Sequence, residues 1–261
     1  LGAKGTRGLL AGAIALIALG VVLLLNNFLF LTGFNVTALL PLTLVIVGAI
    51  ILLRGDIVPT AASRPFGITR GSVESGNIEV NAGLVDVFVG GLEREGRLIA
   101  GQYAHDSRPQ LTVENEEAYL HFDRAAVPWV NFADWTIEVA RDLPWGLFVS
   151  TSIGQINADC SGLILSRAVL ATGLGGIRFV CPPEAFEPIQ IRSAAGSIRV
   201  LTPPGIRARI VVSGPKIFRV HSDDVRYERE TSSTYLSRDP RPGAPTVEIR
   251  VTGTFGDLYL A

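Results

Sequence analysis

Residues 147–220 decide the fold. Their centre reads Gly154-Gln155-Ile156-Asn157-Ala158-Asp159-Cys160, then Gly175-Gly176-Ile177-Arg178-Phe179-Val180-Cys181, then Gly196-Ser197-Ile198-Arg199-Val200-Leu201. Gly154, Gly175 and Gly196 stand 21 residues apart, and so do Ile156, Ile177 and Ile198. Val149, Leu170, Ile191 and Val212 keep that interval, as do Cys160 with Cys181 and Pro182-Pro183 with Pro203-Pro204. Gly214 breaks it by arriving 18 residues after Gly196, and Gly256 follows 42 later, twice the period. A fixed period of this size marks stacked supersecondary units. Each unit is an alternating apolar strand, a Gly turn, a second strand and a polar or Pro-rich return; in the second unit the strands are 169–172 and 177–181. The unit is too short for a strand–helix–strand crossover and its return. The expected object is a β-solenoid with rungs of about 21 residues, equivalent positions lying about 4.8 Å apart. An antiparallel meander with coincident spacing is the competing arrangement. The period speaks to fold and names no activity.

Working outward, the 261 residues hold one or two domains. A net charge of −1, with no basic stripe interleaved with aromatics, excludes nucleic acid as an expected partner. Lys4 and Lys216 are the only lysines, and the sequence has no Met and begins with Leu1, so it is expected to start inside a longer or processed precursor.

Much of the apolar content lies before residue 54. Residues 9–25 and 36–53 are uncharged runs of 17 and 18, separated by Asn26-Asn27, an apolar link and Asn35. A spanning helix needs about 20 residues, with about 17 as a lower limit. The expected element over 1–55 is a transmembrane helical hairpin. A signal peptide fits the first run less well, since it lacks a small-residue cleavage site and a second run follows at once. Gly8, Gly12 and Ala15 are the candidate helix-packing positions, because small residues let helices approach closely in lipid. Lys4 and Arg7 precede the first run, Arg54, Arg64 and Arg70 follow the second, and the connector is uncharged. The positive-inside rule then places both ends, and the large domain, in the cytoplasm; an extracytoplasmic domain is the alternative.

Residues 56–65 form a linker and 66–261 a β domain. Its first half carries less regular strand candidates at 77–81, 84–89, 98–103, 110–113, 118–122 and 136–140. Trp129, Trp135 and Trp145 precede the regular rungs and fit a cap on the open end of the stack better than a ligand platform. Residues 221–245 are polar and contain three prolines, which suggests a long excursion between rungs. Residues 246–261 resume the alternation through Val247, Ile249, Val251, Gly256, Leu258 and Leu260.

No chemical constellation emerges. His105, His121 and His221 lack metal-ligand spacing, and no zincin, Cys-x-x-Cys, Gly-x-Ser-x-Gly or phosphate-loop pattern occurs. Gly173-Leu174-Gly175-Gly176 lacks the third glycine and following helix of a dinucleotide loop, so it is a rung turn. Asp123, Asp134, Glu138 and Asp142 could supply a carboxylate pair, but glycoside hydrolysis needs two held at a defined separation, and solvated charge on strand faces accounts for them better. The expectation is no catalytic, cofactor-binding or metal residue and no cofactor. Cys160 and Cys181 each follow their rung glycine by six residues. They are the candidate stacked cysteine pair, expected about 4.8 Å apart at Cα, as buried thiols or, in an extracytoplasmic domain, as a disulfide.

The order of parts resembles the LiaF-type membrane proteins of the bacterial envelope-stress response. The likeness rests on Gly20-Val21-Val22-Leu23-Leu24-Leu25-Asn26-Asn27, Leu40-Pro41-Leu42 and residues 48–54 in the first region. In the second it rests on Trp135-Thr136-Ile137-Glu138-Val139, Asp142-Leu143-Pro144 and the three glycine repeats, which are similar to a toast-rack β domain. The resemblance implies a membrane-anchored, non-enzymatic protein linked to stress sensing or to regulating a membrane partner. Where the best-studied type has four spans, this chain has two runs. The expected function is a sensor or scaffold acting through protein–protein contacts, with protein partners in the membrane or a homo-oligomer. A structural accessory subunit of a larger membrane complex, docked through the hairpin, is the alternative.

Overall fold

The computed structural model describes residues 63–93, 96–104, 109–123 and 134–261. The two uncharged runs, with Gly8, Gly12 and Ala15, lie outside these residues, as do Trp129 and His105. Among the described residues the structure is all β, and no helix is long and apolar enough to cross a membrane.

The first half supplies β1 (Ser63–Thr69), β2 (Ser75–Asn81), β3 (Val87–Gly91), β4 (Arg97–Ala104), β5 (Gln110–Glu114), β6 (Glu117–Asp123) and β7 (Trp135–Val139). The periodic stretch supplies β8 (Pro144–Ile153), β9 (Ile156–Asp159), β10 (Ile164–Leu174), β11 (Ile177–Val180), the two-residue β12 (Glu184–Ala185), β13 (Ile189–Ala195) and β14 (Ile198–Leu201). Then come β15 (Arg207–Ser213), β16 (Phe218–Ser222), β17 (Tyr227–Arg229), β18 (Thr234–Ser237) and the long β19 (Thr246–Leu260). β1 begins at Ser63, within the stretch read as linker.

A rung is two strands meeting at a glycine corner. β8, β10 and β13 stack in parallel, with Val149 on Leu170 and Leu170 on Ile191. β9, β11 and β14 do the same, with Ile156, Ile177 and Ile198 in one column. Burial alternates along these strands, as the period-2 side-chain geometry demands. Ile156, Ala158, Ile177, Phe179, Ile198 and Val200 point into the core between the two sheets and are at most 2% exposed. Ala158 beside Phe179 shows small and large residues compensating within one column.

At the corner, Gly154, Gly175, Gly196 and Gly256 have φ of 154°, 146°, 143° and 126°, a region that L side chains rarely adopt. A Cβ built on Gly175 would fall on the carbonyl oxygen of Gly154, one on Gly196 on that of Gly175, and one on Gly256 on that of Gly196. The 21-residue glycine repeat is therefore a steric requirement of stacking, since each corner rests directly on the backbone below it. Just inside the corner runs a buried hydroxyl column of Thr151, Thr172 and Ser193. Thr151 donates to the Gly83 carbonyl at 3.0 Å and Thr172 to that of Gly154 at 3.3 Å. Ser193 Oγ, lacking a neighbour in reach, has no partner.

The rungs do not stack in chain order. β19 runs through both sheets and lies between the β13/β14 rung and the β15/β16 rung. It sets Ile249 between Ile189 and Ile210, and Val251 between Ile191 and Val212. Leu258 lies between Ile198 and Val220. Val212 thus keeps the 21-residue spacing but is not the neighbour of Ile191, which corrects the expectation of sequential rungs. Gly256, not Gly214, continues the glycine column, and the break in the period at Gly214 marks the rung that was displaced outward. Residues 221–245 are likewise more than an excursion: β17 and β18 pair antiparallel with each other, and β18 covers the edge of β15.

The other end repeats the device. β2/β3 stacks in parallel between β6/β7 and β8/β9, although it precedes both in sequence. The irregular first half therefore contributes two full rungs. β5 closes one sheet and β4 with β1 the other, all antiparallel. Phe66, Tyr103, Phe122 and Trp135 pack edge-on or tilted at this end, with ring centroids 5.7–6.0 Å apart. Trp135 lies in this last rung. Trp145 lies two rungs further in, where its ring fills the space left by Gly76 and its Nε1 donates to the Ala140 carbonyl at 2.7 Å.

Candidate functional site

In-register stacking also aligns the residues that point outward. On the sheet containing β9, β11 and β14, one exposed or half-buried column runs Thr136, Phe88, Asn157, Arg178, Arg199, Tyr259 and His221. Every member comes from a different strand, and successive backbone positions lie at strand spacing, about 4.8 Å. Arg178 and Arg199 are direct neighbours. The Arg199 guanidinium sits over the Tyr259 ring at 5.8 Å, and the His221 ring stacks on the other side at 5.0 Å and 14°. His221 Nε2 lies 3.0 Å from Asp257 Oδ1, and the Arg219 Nε pairs with the same oxygen at 3.1 Å. The hydrogen bond with His221, helped by Arg219, holds the Asp257 carboxyl below its ordinary range despite its partial desolvation. The result is a flat, pre-set strip of aromatic, Asn and Arg groups.

Beside this column, Gly90 leaves open space above its backbone. A shallow depression of about 320 Å³ results, walled by Phe88, Thr136, Glu138, Asn157, Asp159 and Arg178. Of the four carboxylates singled out in the sequence, only Glu138 reaches it. Asp142 pairs with Arg70 elsewhere, Asp134 is exposed at the start of β7, and the side chain of Asp123 is outside the described set. Glu138 and Asp159 are both exposed. His121 Nδ1 lies 3.4 Å from Glu79 at the opposite end of the stack from His221. Among the described residues no three His, Cys, Asp or Glu side chains gather as metal ligands would.

The structure places Cys160 and Cys181 one residue beyond the paired Asp159 and Val180, at the far ends of β9 and β11. The Cys160 N–H donates to the Val180 carbonyl at 3.2 Å and that of Cys181 to Leu201 at 2.9 Å, which carries the parallel pattern one residue further. Thr202 continues the series, donating to Ala261 at 3.1 Å, and its Oγ1 accepts from the Tyr227 hydroxyl at 2.7 Å. Both cysteines are fully buried and unbridged. Burial pushes both thiols up, that of Cys181 to about 12, so neither is a nucleophile.

A second surface was legible only in part. At the glycine corner Ile153, Leu174 and Phe255 are 51%, 53% and 62% exposed, and Ile217 in the outermost rung is 57% exposed. Ile153 pairs with Leu174, Leu174 with Ala195, and Ala195 with Phe255. Residues 153, 174 and 195 obey the 21-residue interval, so their column could have been read from sequence. Phe255 could not, because it enters the column out of order.

The fold and these surfaces define a two-sheet stack of parallel rungs, solenoid-like, with an arginine-and-aromatic strip on one face. No protein-family model matches the chain, and no curated protein matches it. Among solved structures, the 1.95 Å crystal structure of a "putative cell adhesion protein" from Clostridium sporogenes is similar, with a TM-score of 0.63. The two are 16% identical, and the match covers 76% of this chain and 98% of that one. At that identity the likeness is one of all-β fold.

Proposed function

We propose that this chain is a non-enzymatic, membrane-anchored scaffold or sensor of the LiaF type. In this reading the uncharged runs at 9–25 and 36–53 hold it in a bacterial cell membrane, and the toast-rack domain, on the cytoplasmic side, presents a rigid face to a protein partner. The observation that carries the reading is the strip Phe88, Asn157, Arg178, Arg199, Tyr259 and His221. Arg and Tyr are enriched among residues that dominate binding energy at protein interfaces, and here the strands bring two arginines and three aromatic rings into one column, with Arg199, Tyr259 and His221 packed on one another before any partner arrives. Pre-set side chains lose little rotamer freedom on binding. Arg178 has no acidic neighbour in its own column, which suits a partner with an acidic or aromatic patch.

The test is purification of the full chain from native membranes in mild detergent, as the wild type and as the Arg178→Glu, Arg199→Glu double variant. Loss of a stoichiometric partner in the variant, with an unchanged melting curve, is the expected result. Retention of the partner by the variant would shift the contact to the hairpin and favour the accessory-subunit reading.

A further inference from the structure

The glycine corner has no role in the partner-binding strip, and its composition is unlike the rest of the surface. Ile153, Leu174, Phe255 and Ile217 stand out from four rungs, each more than half exposed. Around them the corner segments 151–155, 172–176, 193–197, 252–256 and 213–217 contain Ser, Thr, Gly, Ala, Pro and Gln, and their one ionisable side chain is Lys216. Asp86, in the corner of the next rung, accepts from the Gln155 backbone N–H at 2.7 Å. A corner of a stack needs glycine and small residues. It does not need large apolar ones pointing at water, and a contiguous apolar patch of several hundred Å² on a soluble surface marks a contact site.

We propose that this corner lies in the headgroup boundary of a lipid bilayer, with Ile153, Leu174, Phe255 and Ile217 dipped among the acyl chains and Lys216 at the phosphates. The proposal rests on the membrane-anchored reading above. Three features favour lipid over a second copy of the chain. The stripe is about 20 Å long and one side chain wide, the form of an interfacial element that sinks about 5–10 Å into the boundary. Its exposed apolar area is about 400 Å², taking about 150–250 Å² for each large side chain, whereas a stable protein interface buries about 800 Å² on each partner. The tether is short: residues 54–62 lie between the second uncharged run and β1, spanning about 30 Å even when fully extended.

The experiment uses the full chain in vesicles of phosphatidylcholine and phosphatidylglycerol. Single variants Leu174→Cys and Phe255→Cys, with Ser161→Cys at the opposite corner as a reference, are labelled with an environment-sensitive fluorophore. Wild type is the labelling blank, since its two thiols are buried. Flotation after an alkaline wash reads anchoring separately. The expected result is flotation of every variant, with blue-shifted emission at 174 and 255 that is lost on adding lipids carrying a shallow nitroxide quencher, while position 161 reports water. Flotation with aqueous emission at 174 and 255 overturns the proposal and leaves the anchored reading standing. A blue shift without lipid-phase quenching assigns the corner to a second copy and also overturns it. Failure to float removes the anchored reading and the proposal together.

Discussion

Removing residues 246–261 takes out an internal rung, although those residues end the sequence. β19 buries Val247, Ile249, Val251, Leu258 and Leu260, all at most 2% exposed. At about 1.5–3 kcal/mol for each fully buried side chain, the five contribute about 7–15 kcal/mol, an upper value because unfolded chains already bury some apolar surface. Whole domains are stable by about 5–15 kcal/mol. In a sequential solenoid the last rung would be expendable, since each unit contacts only its neighbours. Here the deletion separates β13/β14 from β15/β16 and uncovers Ile189, Ile191, Ile198 and Val200 on one side and Ile210 on the other. The assay is limited proteolysis and thermal melting of the chain with and without residues 246–261 under the same conditions. Residues 207–245 should become protease-sensitive as one block, and the melting temperature should fall by about 14 °C or more, at about 2–4 °C per kcal/mol for a domain of this size. A truncated chain that still protects 207–245 would mean that β15/β16 can dock directly on β13/β14, as the 21-residue spacing of Val212 allows, and would refute the claim that β19 is needed to seat them.

Two further outcomes follow from the corners. Gly175→Ala should cost about 2–5 kcal/mol, from an unfavourable φ and the overlap with the Gly154 carbonyl, whereas Gly243→Ala, at φ 77° with open space around it, should cost about 1–2 kcal/mol; equal melting shifts would sink the stacking explanation. Cys160 and Cys181 should resist alkylation at pH 8 in the folded chain and react at once in denaturant. Because burial raises Cys181 from 9.0 to about 12, its contribution to stability is complete below pH 9 and is lost as the pH climbs toward 12. Rapid labelling at pH 8 with the fold intact would show that the second corner opens.

The candidate strip was only partly visible in the sequence. Asn157, Arg178 and Arg199 share the 21-residue interval, so their alignment follows from the repeat once a rung is accepted. Phe88, Tyr259 and His221 do not share it. Phe88 and Tyr259 reach the column through strands inserted out of order and His221 through the rung displaced by one of them, and no spacing rule connects them to Arg178.

The sequence by itself determined the rung: alternating side chains fix which residues face inward, and the 21-residue glycine repeat fixes the corner, because both depend on geometry within one strand or between a strand and its copy. Only the tertiary structure decided which rung lies on which. Any strand with apolar alternation and a corner glycine satisfies the backbone bonds of an open edge, so chain order does not dictate stacking order. In the structure β19, not β15, lies beside β13, with Ile249 between Ile189 and Ile210 in one column, and β18 covers the rung left outermost with antiparallel pairs. These are long-range contacts, and no local pattern records them.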